Sequence, residues 1–396
     1  MAGRGKRAIL GLMLLAGVAA RADVSGNLSL EGRGFWQSPL DERQVDSSLS
    51  LSGEVEFYHE WDDGRQALTL TPFLRLDPHD PQRSHGDIRE AFWLKVGDDW
   101  ELRAGITKVY WGVTESVHLV DIVNQTDLVE NPDGEQKLGQ PMIQLSLERD
   151  WGTLDLFALP WFRERTFPGV HGRLRVQPRV DIHHADYESA AGPHHFDIAL
   201  RWSHSIGDWD IGLAHFRGTS RDPLFVPRVV PGEEPVLTPY YPLINQTSLD
   251  VQATKGDWLW KLEAVHHSGG GQTYNAAVGG FEYTRVGILG GASDLGLLAE
   301  YQYDDRREQA LTPFQNDLFI GIRWTANDEQ SSELLAGIIQ DLDGGGRLLN
   351  IEASRRLGED WKLSLQLRAW FDVPRGSLLY PLNRDDYAEI TLARYF

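Results

Sequence analysis

The sequence predicts an all-β fold, a transmembrane up-and-down antiparallel barrel of about 18 strands, with 16 as the alternative count. Three observations lead to this prediction. Segments of about ten residues alternate apolar and polar side chains, as strands do when one face meets lipid and the other meets water. Short turns alternate with longer loops along the chain. Five of the short turns run directly into tryptophan.

The first 22 residues have the composition of a secretory signal peptide. Arg4, Lys6 and Arg7 precede an apolar stretch, and Ala20 and Ala22 frame a cleavage site. The stretch is too short and wrongly flanked for a spanning helix, and the alternative is a buried N-terminal helix. We expect residues 1–22 to be removed and residues 23–396 to form one outer-membrane barrel domain.

Composition narrows the class of protein further. The formal charge is −20, which argues against nucleic acid as a partner. Cysteine is absent, so an exported chain would contain no disulfide and no reactive thiol. The 14 Trp, 15 Phe and 12 Tyr against 40 Gly suit a β-rich protein with many turns and interfacial aromatic residues.

The strands are read from period-two alternation. In the first, predicted over 24–36, Leu28 and Leu30 oppose Ser29, Glu31 and Arg33. The same pattern predicts strands over 45–61 and 361–372. A soluble barrel is disfavoured because so many strands enclose more volume than side chains fill, and a solenoid is disfavoured because the strand spacing is irregular.

The connections predict which edge of the barrel is which. Short turns are predicted at 62–65, 97–99, 149–152, 207–208, 255–257, 289–293, 325–330 and 358–360. Longer loops are predicted at 37–44, 78–86, 112–139, 164–193, 221–243, 268–273, 305–313, 342–346 and 373–385. In bacterial outer-membrane barrels the short turns are periplasmic. The tryptophans that follow short turns are Trp100, Trp151, Trp209, Trp258 and Trp361. We expect them to form the periplasmic aromatic girdle, because tryptophan favours the membrane–water interface.

The last predicted strand, 387–396, ends on Phe396. It resembles the terminal signature of Gram-negative outer-membrane barrels, which the barrel-assembly machinery reads. Ile390 and Leu392 fit the alternating apolar positions of that signature, whereas Arg394 departs from it. The resemblance implies that the assembly machinery is a partner through Phe396.

The longest interruption between strands, 110–140, predicts a helical insert over 113–130. Val117, Val120 and Ile122 or Val123 are spaced about one helical turn apart, and Thr114 or Ser116 would cap the start. We expect the insert to enter the lumen because its apolar residues need burial. The alternative is an acidic loop on the outer surface.

A lumenal insert would form the narrowest point of a pore. The candidate constriction residues are Glu115, Asp121, Asp127, Glu130, Arg103 and Lys108. In this hypothesis the acids of the insert oppose the two bases of the preceding strand.

Alternation also predicts which charged residues face inward. The predicted inward acids are Glu54, Glu56, Glu101, Glu148, Asp155, Asp197, Asp250, Glu263, Glu300 and Glu352. The predicted inward bases are Arg89, Lys95, Arg103, Arg201, Lys261, Arg323, Lys362 and Arg368. Two interpretations stay open: a water-filled conduit with a transverse field, or cross-strand pairs that only satisfy the interior.

Two groups of residues have side chains that could form a chemical site, but neither has the required arrangement. His183, His184 and Asp186 on one long loop are weak metal candidates, but their spacing matches no closed site, and a solvated polar loop is the alternative. Ser203-His204 and His266-His267-Ser268 are adjacent in sequence, so their side chains point to opposite faces of a strand. We therefore expect no enzyme activity, no metal and no cofactor.

The segment LRAGITKVYWG, Leu102 to Gly112, followed by TESVHLVDIVNQTD resembles a pattern in several Gram-negative outer-membrane barrels. These include porin-like and alginate-export-like families and barrels associated with inner-membrane exporters of the resistance-nodulation-division (RND) type. The resemblance covers about residues 88–145. It implies location in the outer membrane of a Gram-negative bacterium and transport across it.

Three functions follow as hypotheses. The first is a porin-like channel for small polar or charged solutes. The second is an outer-membrane component of an export system for lipid or hydrophobic molecules, working with an inner-membrane RND-type transporter. The third is a surface binding or adhesion module. The expected partners are outer-membrane lipid and a small solute, with the inner-membrane exporter as a partner in the second hypothesis.

Overall fold

The computed structural model describes residues 23–396, and the predicted signal peptide lies outside the described residues. The strands are β1 Asp23–Phe35, β2 Ser47–Trp61, β3 Gln66–Leu76, β4 His85–Val96, β5 Trp100–Thr107, β6 Gln140–Arg149, β7 Gly152–Leu159, β8 Asp186–Tyr187, β9 Asp197–Ile206, β10 Trp209–Thr219, β11 Leu224–Arg228, β12 Val236–Tyr241, β13 Leu243–Lys255, β14 Trp258–Gly269, β15 Gln272–Arg285, β16 Asp294–Asp304, β17 Asn316–Thr325, β18 Glu333–Asp341, β19 Arg347–Leu357, β20 Trp361–Phe371 and β21 Tyr387–Tyr395. Single-turn 3₁₀ helices lie at Gly192–His194, Ile288–Gly290, Arg307–Gln309 and Tyr380–Leu382. Among residues 23–396, no helix is long and apolar enough to cross a bilayer.

Eighteen of the strands form one antiparallel sheet that closes on itself. Each strand pairs with the next barrel strand along the chain, and β1 pairs with β21, from Asn27 opposite Tyr395 to Phe35 opposite Tyr387. The prediction of an 18-stranded up-and-down barrel is therefore confirmed. The remaining strands, β8, β11 and β12, form a small separate sheet within the long connections.

The outer face of the barrel is apolar and the inner face is polar, as the alternation predicts. On β1, Leu28 and Leu30 are about half exposed, whereas Glu31 and Arg33 are buried. On β2, Leu49 and Leu51 are exposed and the intervening serines are buried. A closed barrel leaves no strand edge unpaired in lipid, and an outward apolar face matches the hydrocarbon of a bilayer. The chain is an outer-membrane β-barrel.

Turn lengths separate the two edges of the barrel. β2–β3, β6–β7, β9–β10 and β13–β14 are joined by two to four residues, whereas 108–139 and 160–196 join strands at the other edge. The long loop predicted at 268–273 is wrong, because β14 and β15 continue to a two-residue turn, Gly270-Gly271, with positive φ at both glycines. Regular pairing here reaches Gly269 opposite Gln272, so little chain is left for a loop.

The predicted girdle tryptophans lie at the short-turn edge. Trp100, Trp209, Trp258 and Trp361 are the first residues of β5, β10, β14 and β20, and Trp151 lies in the β6–β7 turn. Of the five, all but Trp100 are between 38% and 52% exposed, which is how an indole at a lipid interface presents its ring.

The predicted helix over 113–130 is wrong. This stretch is turns and irregular backbone that follows the end of β5 at Thr107. The physical reason is that side-chain carboxylates compete with helical backbone carbonyls for the N–H groups of this stretch. The backbone N–H groups of Val113, Thr114, Glu115 and Ser116 donate to carboxylates of the barrel wall. Tertiary contacts thus override the local helical spacing.

Candidate functional site in the barrel lumen

Residues 108–139, here called the lumen insert, are held by inward-facing side chains around the barrel. The contacting strands are β1, β3, β4, β13, β14, β16, β17 and β20, through Arg33, Arg75, Arg89, Gln246, Glu263, Glu300, Arg323 and Arg368. A segment lying on top of the barrel could not meet the inner faces of so many strands. The insert therefore lies across the lumen.

Glu263 on β14 fastens one part of the insert. Its Oε1 accepts hydrogen bonds from the backbone N–H of Val113 at 2.7 Å and of Thr114 at 3.0 Å. The Thr114 hydroxyl donates to the same oxygen at 2.7 Å, and the Val120 N–H donates to Oε2 at 3.2 Å. The Glu263 side chain is fully buried, so these donors replace the water that a carboxylate otherwise needs.

Glu300 on β16 fastens the adjacent residues in the same way. It accepts from the backbone N–H of Glu115 and of Ser116, both at 2.8 Å, and from the Ser116 hydroxyl at 2.6 Å. Glu300 is only 2% exposed. Both carboxylates were predicted to face inward, but their role in holding the insert was not predicted.

The apolar residues of the insert pack against one side of the barrel interior. Trp111, Val120 and Val123 are buried in a cluster whose barrel members include Phe157, Phe216, Ile244 and Val265. The Trp111 and Phe157 rings meet edge to face with centroids 5.6 Å apart. This packing supplies the burial that the apolar spacing of the insert requires.

A network of ion pairs joins the insert to β1, β3 and β4. Arg75 pairs with Glu130 at 2.7 Å and with Glu31 at 2.9 Å, and Arg83 pairs with Glu31 at 2.6 Å. Arg89 pairs with Asp127 at 2.6 Å. All of these side chains are less than 10% exposed. Removing one partner of such a group would leave a buried charge without an ion-pair partner, so the network fixes this part of the insert strongly.

The opposite side of the lumen is hollow. A cavity of about 690 Å³, here called the upper cavity, lies between the insert and the inner faces of β17–β20 and reaches Phe314 and Leu382 in the long loops. A second cavity of about 410 Å³, the lower cavity, extends toward the short-turn edge, where Thr325, Glu333 and Lys362 line it. Glu115, Leu335 and Glu352 line both cavities. These three residues, which we call the neck, border both spaces.

Apolar side chains line the barrel side of the upper cavity. This inner apolar strip consists of Phe319, Leu335, Ile339, Leu348 and Trp370. Gly337 lies in the middle of the strip, and a Cβ at that position would lie 2.2 Å from the Phe319 ring, so glycine lets the ring lie against the wall. Alternation did not predict the strip. A signal was present, however, because β18 carries leucine or isoleucine on both faces, at Leu334, Leu335, Ile338 and Ile339.

The charges at the neck are paired. Glu115 forms an ion pair with Arg323, which also reaches Glu282 at 3.2 Å. Lys261 lies 3.9 Å from Glu115, and Arg368 lies 3.5 Å from Glu352 and 3.0 Å from Asp133. The neck thus has fixed charges of both signs around a gap, which is a geometry that can discriminate solutes by charge and width.

His118 lies on the insert between two carboxylates. Its Nε2 is 3.3 Å from Glu135 and its Nδ1 is 3.8 Å from Glu263. The two carboxylates, first Glu135 and then Glu263, raise the pKa of His118 to about 10. Burial raises the pKa of Asp121, which Lys137 partly offsets from 3.4 Å. At neutral pH His118 therefore carries a positive charge on the insert.

The predicted constriction residues do not meet as expected. Glu115, Asp121, Asp127 and Glu130 all lie in the lumen, but each pairs with a base other than Arg103 or Lys108. Arg103 pairs with Glu101 on its own strand at 2.7 Å. Of the six, only Glu115 and Asp121 line the upper cavity. The role of all six in a constriction remains a prediction.

The metal candidates His183, His184 and Asp186 do not form a group of possible ligands among the described residues. His184 pairs with Asp181 at 2.8 Å, and Asp181 also binds Arg228. Within residues 23–396, the grouping of three possible ligands is His85, Asp127 and Glu130. Both of those carboxylates already accept charged hydrogen bonds from arginine, which disfavours a cation between them.

Comparisons with known proteins give likeness of fold. No family model matches the chain, and no curated protein sequence matches it. Among solved structures, one similar protein is Wzi of Escherichia coli, described as an outer membrane protein involved in group 1 capsule assembly and a carbohydrate binding β-barrel. It has 11% identity and a TM-score of 0.55, over 98% of this chain and 87% of that chain. A loop L8 deletion mutant of OmpT, an outer membrane protein of Vibrio cholerae, has 11% identity and a TM-score of 0.49, over 95% and 99% of the two chains. A mutant of the Rh. blastica porin has 11% identity and a TM-score of 0.45, over 95% and 100%.

Proposed function

We propose that this protein is an outer-membrane channel for small polar or charged solutes, which pass between the lumen insert and β17–β20. The observation that carries the proposal is a pair of neighbouring cavities that share Glu115, Leu335 and Glu352 in their walls. Together their lining residues extend from the long-loop edge to the short-turn edge of the barrel. In this proposal the rest of the lumen serves to hold the insert in place.

The experiment is single-channel recording of the purified protein in a planar bilayer. A channel of this kind should give discrete conductance steps. Heat-modifiable gel mobility would show that the same sample is folded. A folded barrel that gives no conductance would overturn the proposal.

A second candidate is the outer-membrane component of an export system for hydrophobic molecules, working with an inner-membrane transporter of the RND type. The inner apolar strip favours it, because a purely aqueous pore does not need five apolar side chains on its wall. Transport assays with and without the exporter would separate the two candidates: a channel conducts alone, whereas an export component requires its partner.

The last strand is the feature relevant to assembly of the barrel. We infer that the barrel-assembly machinery recognises the last strand through Phe396, whose backbone N–H and carbonyl both bond to Gly26 at 3.1 Å after folding. Truncation of Phe396 should then lower the yield of folded barrel in cells, as measured by gel mobility.

We propose no catalytic role, because the adjacent Ser203 and His204 alternate between the faces of β9.

A further inference from the structure

The upper cavity combines two kinds of surface, and this inference rests on the proposed function. One side is the inner apolar strip. Its residues come from four neighbouring strands, with Trp370 directly opposite Leu348 in the register of β19 and β20. Water gains nothing from contact with such a surface, whereas an apolar group that covers it is stabilised by about 25 cal/mol per Å² of area removed from water.

Carboxylates also line the upper cavity, including one on the insert and one at the neck. Glu135 on the insert is 54% exposed and Glu352 on β19 is 43% exposed. The bases nearby are much less accessible, since Arg368 is 8% exposed and Lys137 is 9% exposed. Arg368 and Lys137 are therefore less accessible to a solute than Glu135 and Glu352.

Asp121 adds an unpartnered acceptor oxygen to the cavity lining. It lines the cavity, its side chain is 3% exposed, and its Oδ1 has no hydrogen-bond partner among the described residues. An unsatisfied buried carboxylate oxygen costs free energy until a donor or a cation approaches it. His118, which is 34% exposed and pairs with Glu135, is the base that a solute would meet most readily.

We propose that the upper cavity binds an amphipathic organic cation, with its apolar body against the inner apolar strip and its ammonium toward Glu135 and Glu352. Neither surface alone selects this class: carboxylates alone accept any small cation, and the strip alone accepts any apolar solute. The cavity of about 690 Å³ has room for a single-ring compound together with water. The formal charge of −20 also concentrates cations near the protein.

Three probes separate the two contributions. Benzyltrimethylammonium has both features, tetramethylammonium has only the charge, and benzoate has the ring with the opposite charge. Isothermal titration calorimetry on the detergent-solubilised full barrel measures binding whether or not the protein conducts. In planar bilayers, bound probe should also reduce the ion current. We expect benzyltrimethylammonium to bind at least about tenfold more tightly than either other probe, since ring burial and ion pairing add.

Variants assign the effect to residues. Glu135→Gln with Glu352→Gln should weaken benzyltrimethylammonium binding about five- to tenfold and reduce its preference over benzoate. Ile339→Ser with Leu348→Ser should reduce its preference over tetramethylammonium to near unity. Glu233→Gln removes an exposed acid of a long loop outside the cavity lining and is the matched control, with unchanged binding.

The outcomes distinguish this inference from the proposed function. Binding of benzyltrimethylammonium without any conductance would support the inference and overturn the channel. Conductance with equal binding of the three probes would support the channel and overturn the inference. Equal weakening by the control variant Glu233→Gln would also overturn it, since binding would then follow overall charge.

Discussion

The two sides of the barrel interior are built in different ways. On the side of β1–β14, the insert is packed against a hydrophobic cluster and tied by buried ion pairs. On the side of β17–β20, an apolar strip borders empty space. The insert is packed against one wall, whereas polar contacts with Arg323 and Arg368 join it to the other wall and a cavity remains there. The interior is thus asymmetric: one wall packs against the insert, and the other borders a cavity.

The largest expected effect tests whether the inner and outer faces are assigned correctly. Leu365 on β20 is 41% exposed on the outer face, and Gln366 beside it points inward to Asn131. Leu365→Arg should destabilise the assembled barrel by about 2–4 kcal/mol, because a cation would lie near the bilayer midplane. Gln366→Arg, the matched control, should assemble normally. Urea unfolding in lipid vesicles measures both, and equal behaviour would contradict the assignment.

The next effect tests whether only the open side conducts. Ser364 lines the lower cavity, and Ser203 lines a separate cavity of about 390 Å³ on the β7–β10 side that shares no lining residue with the upper cavity. Ser364→Trp should remove most of the conductance, because the indole fills the passage. Ser203→Trp should leave it nearly unchanged. Single-channel recording decides this, and a loss in both variants would mean that current flows through both sides.

A smaller effect is expected from loosening the insert. Glu263→Ala with Glu300→Ala removes seven hydrogen bonds that hold residues 113–120. We expect a mobile insert, with noisier openings and conductance raised up to a few-fold. Asp250→Asn is the control, since Asp250 pairs with Arg201 on β9 and not with the insert. A quiet double variant with wild-type conductance would show that the other contacts are sufficient.

The smallest effect is a dependence on alkaline pH. His118 has its pKa raised to about 10 by Glu135 and Glu263. The ordinary pKa of histidine is about 6.5, so the contribution of His118 to stability is complete below about pH 6.5. The contribution declines as the pH rises to about 10. The loss should be about 1 kcal/mol or less, because His118 is one-third exposed. Thermal unfolding at pH 7 and pH 10.5 should show this decline in the native protein and a smaller one in His118→Gln.

Much of the fold was predictable because successive side chains of a strand point to opposite faces of the sheet, so apolar and polar residues alternate when one face meets lipid and the other meets water. Ser50 and Ser52 of β2 face inward and Leu49 and Leu51 face outward, as their spacing indicates. The turn at Gly270-Gly271 was missed because glycines and serines read as a loop although the strands pair to their ends. A sequence pattern reports polarity, and only the register reports where pairing stops.

The site was less predictable because it depends on contacts distant in sequence. The insert was expected to be helical from the spacing of its valines, but Glu263 and Glu300, about 150 and 185 residues away, take its N–H groups. Asp127 and Glu130 pair with Arg89 and Arg75, which are distant from them in sequence. The bases near the insert in sequence were expected instead. No local pattern encodes which of many inward charges will face one another.

The seam between β1 and β21 closes the sheet. Its pairs, such as Asn27 with Tyr395, join residues from opposite ends of the described chain, so forming the seam closes a very long loop. Without the seam the sheet would have two free edges, and each unpaired backbone group in hydrocarbon costs several kcal/mol. Closure of the sheet in the membrane is therefore strongly favourable. Because the insert contacts strands on both sides of the seam, Arg33 on β1 and Arg368 on β20, it would be enclosed at the moment the barrel closes.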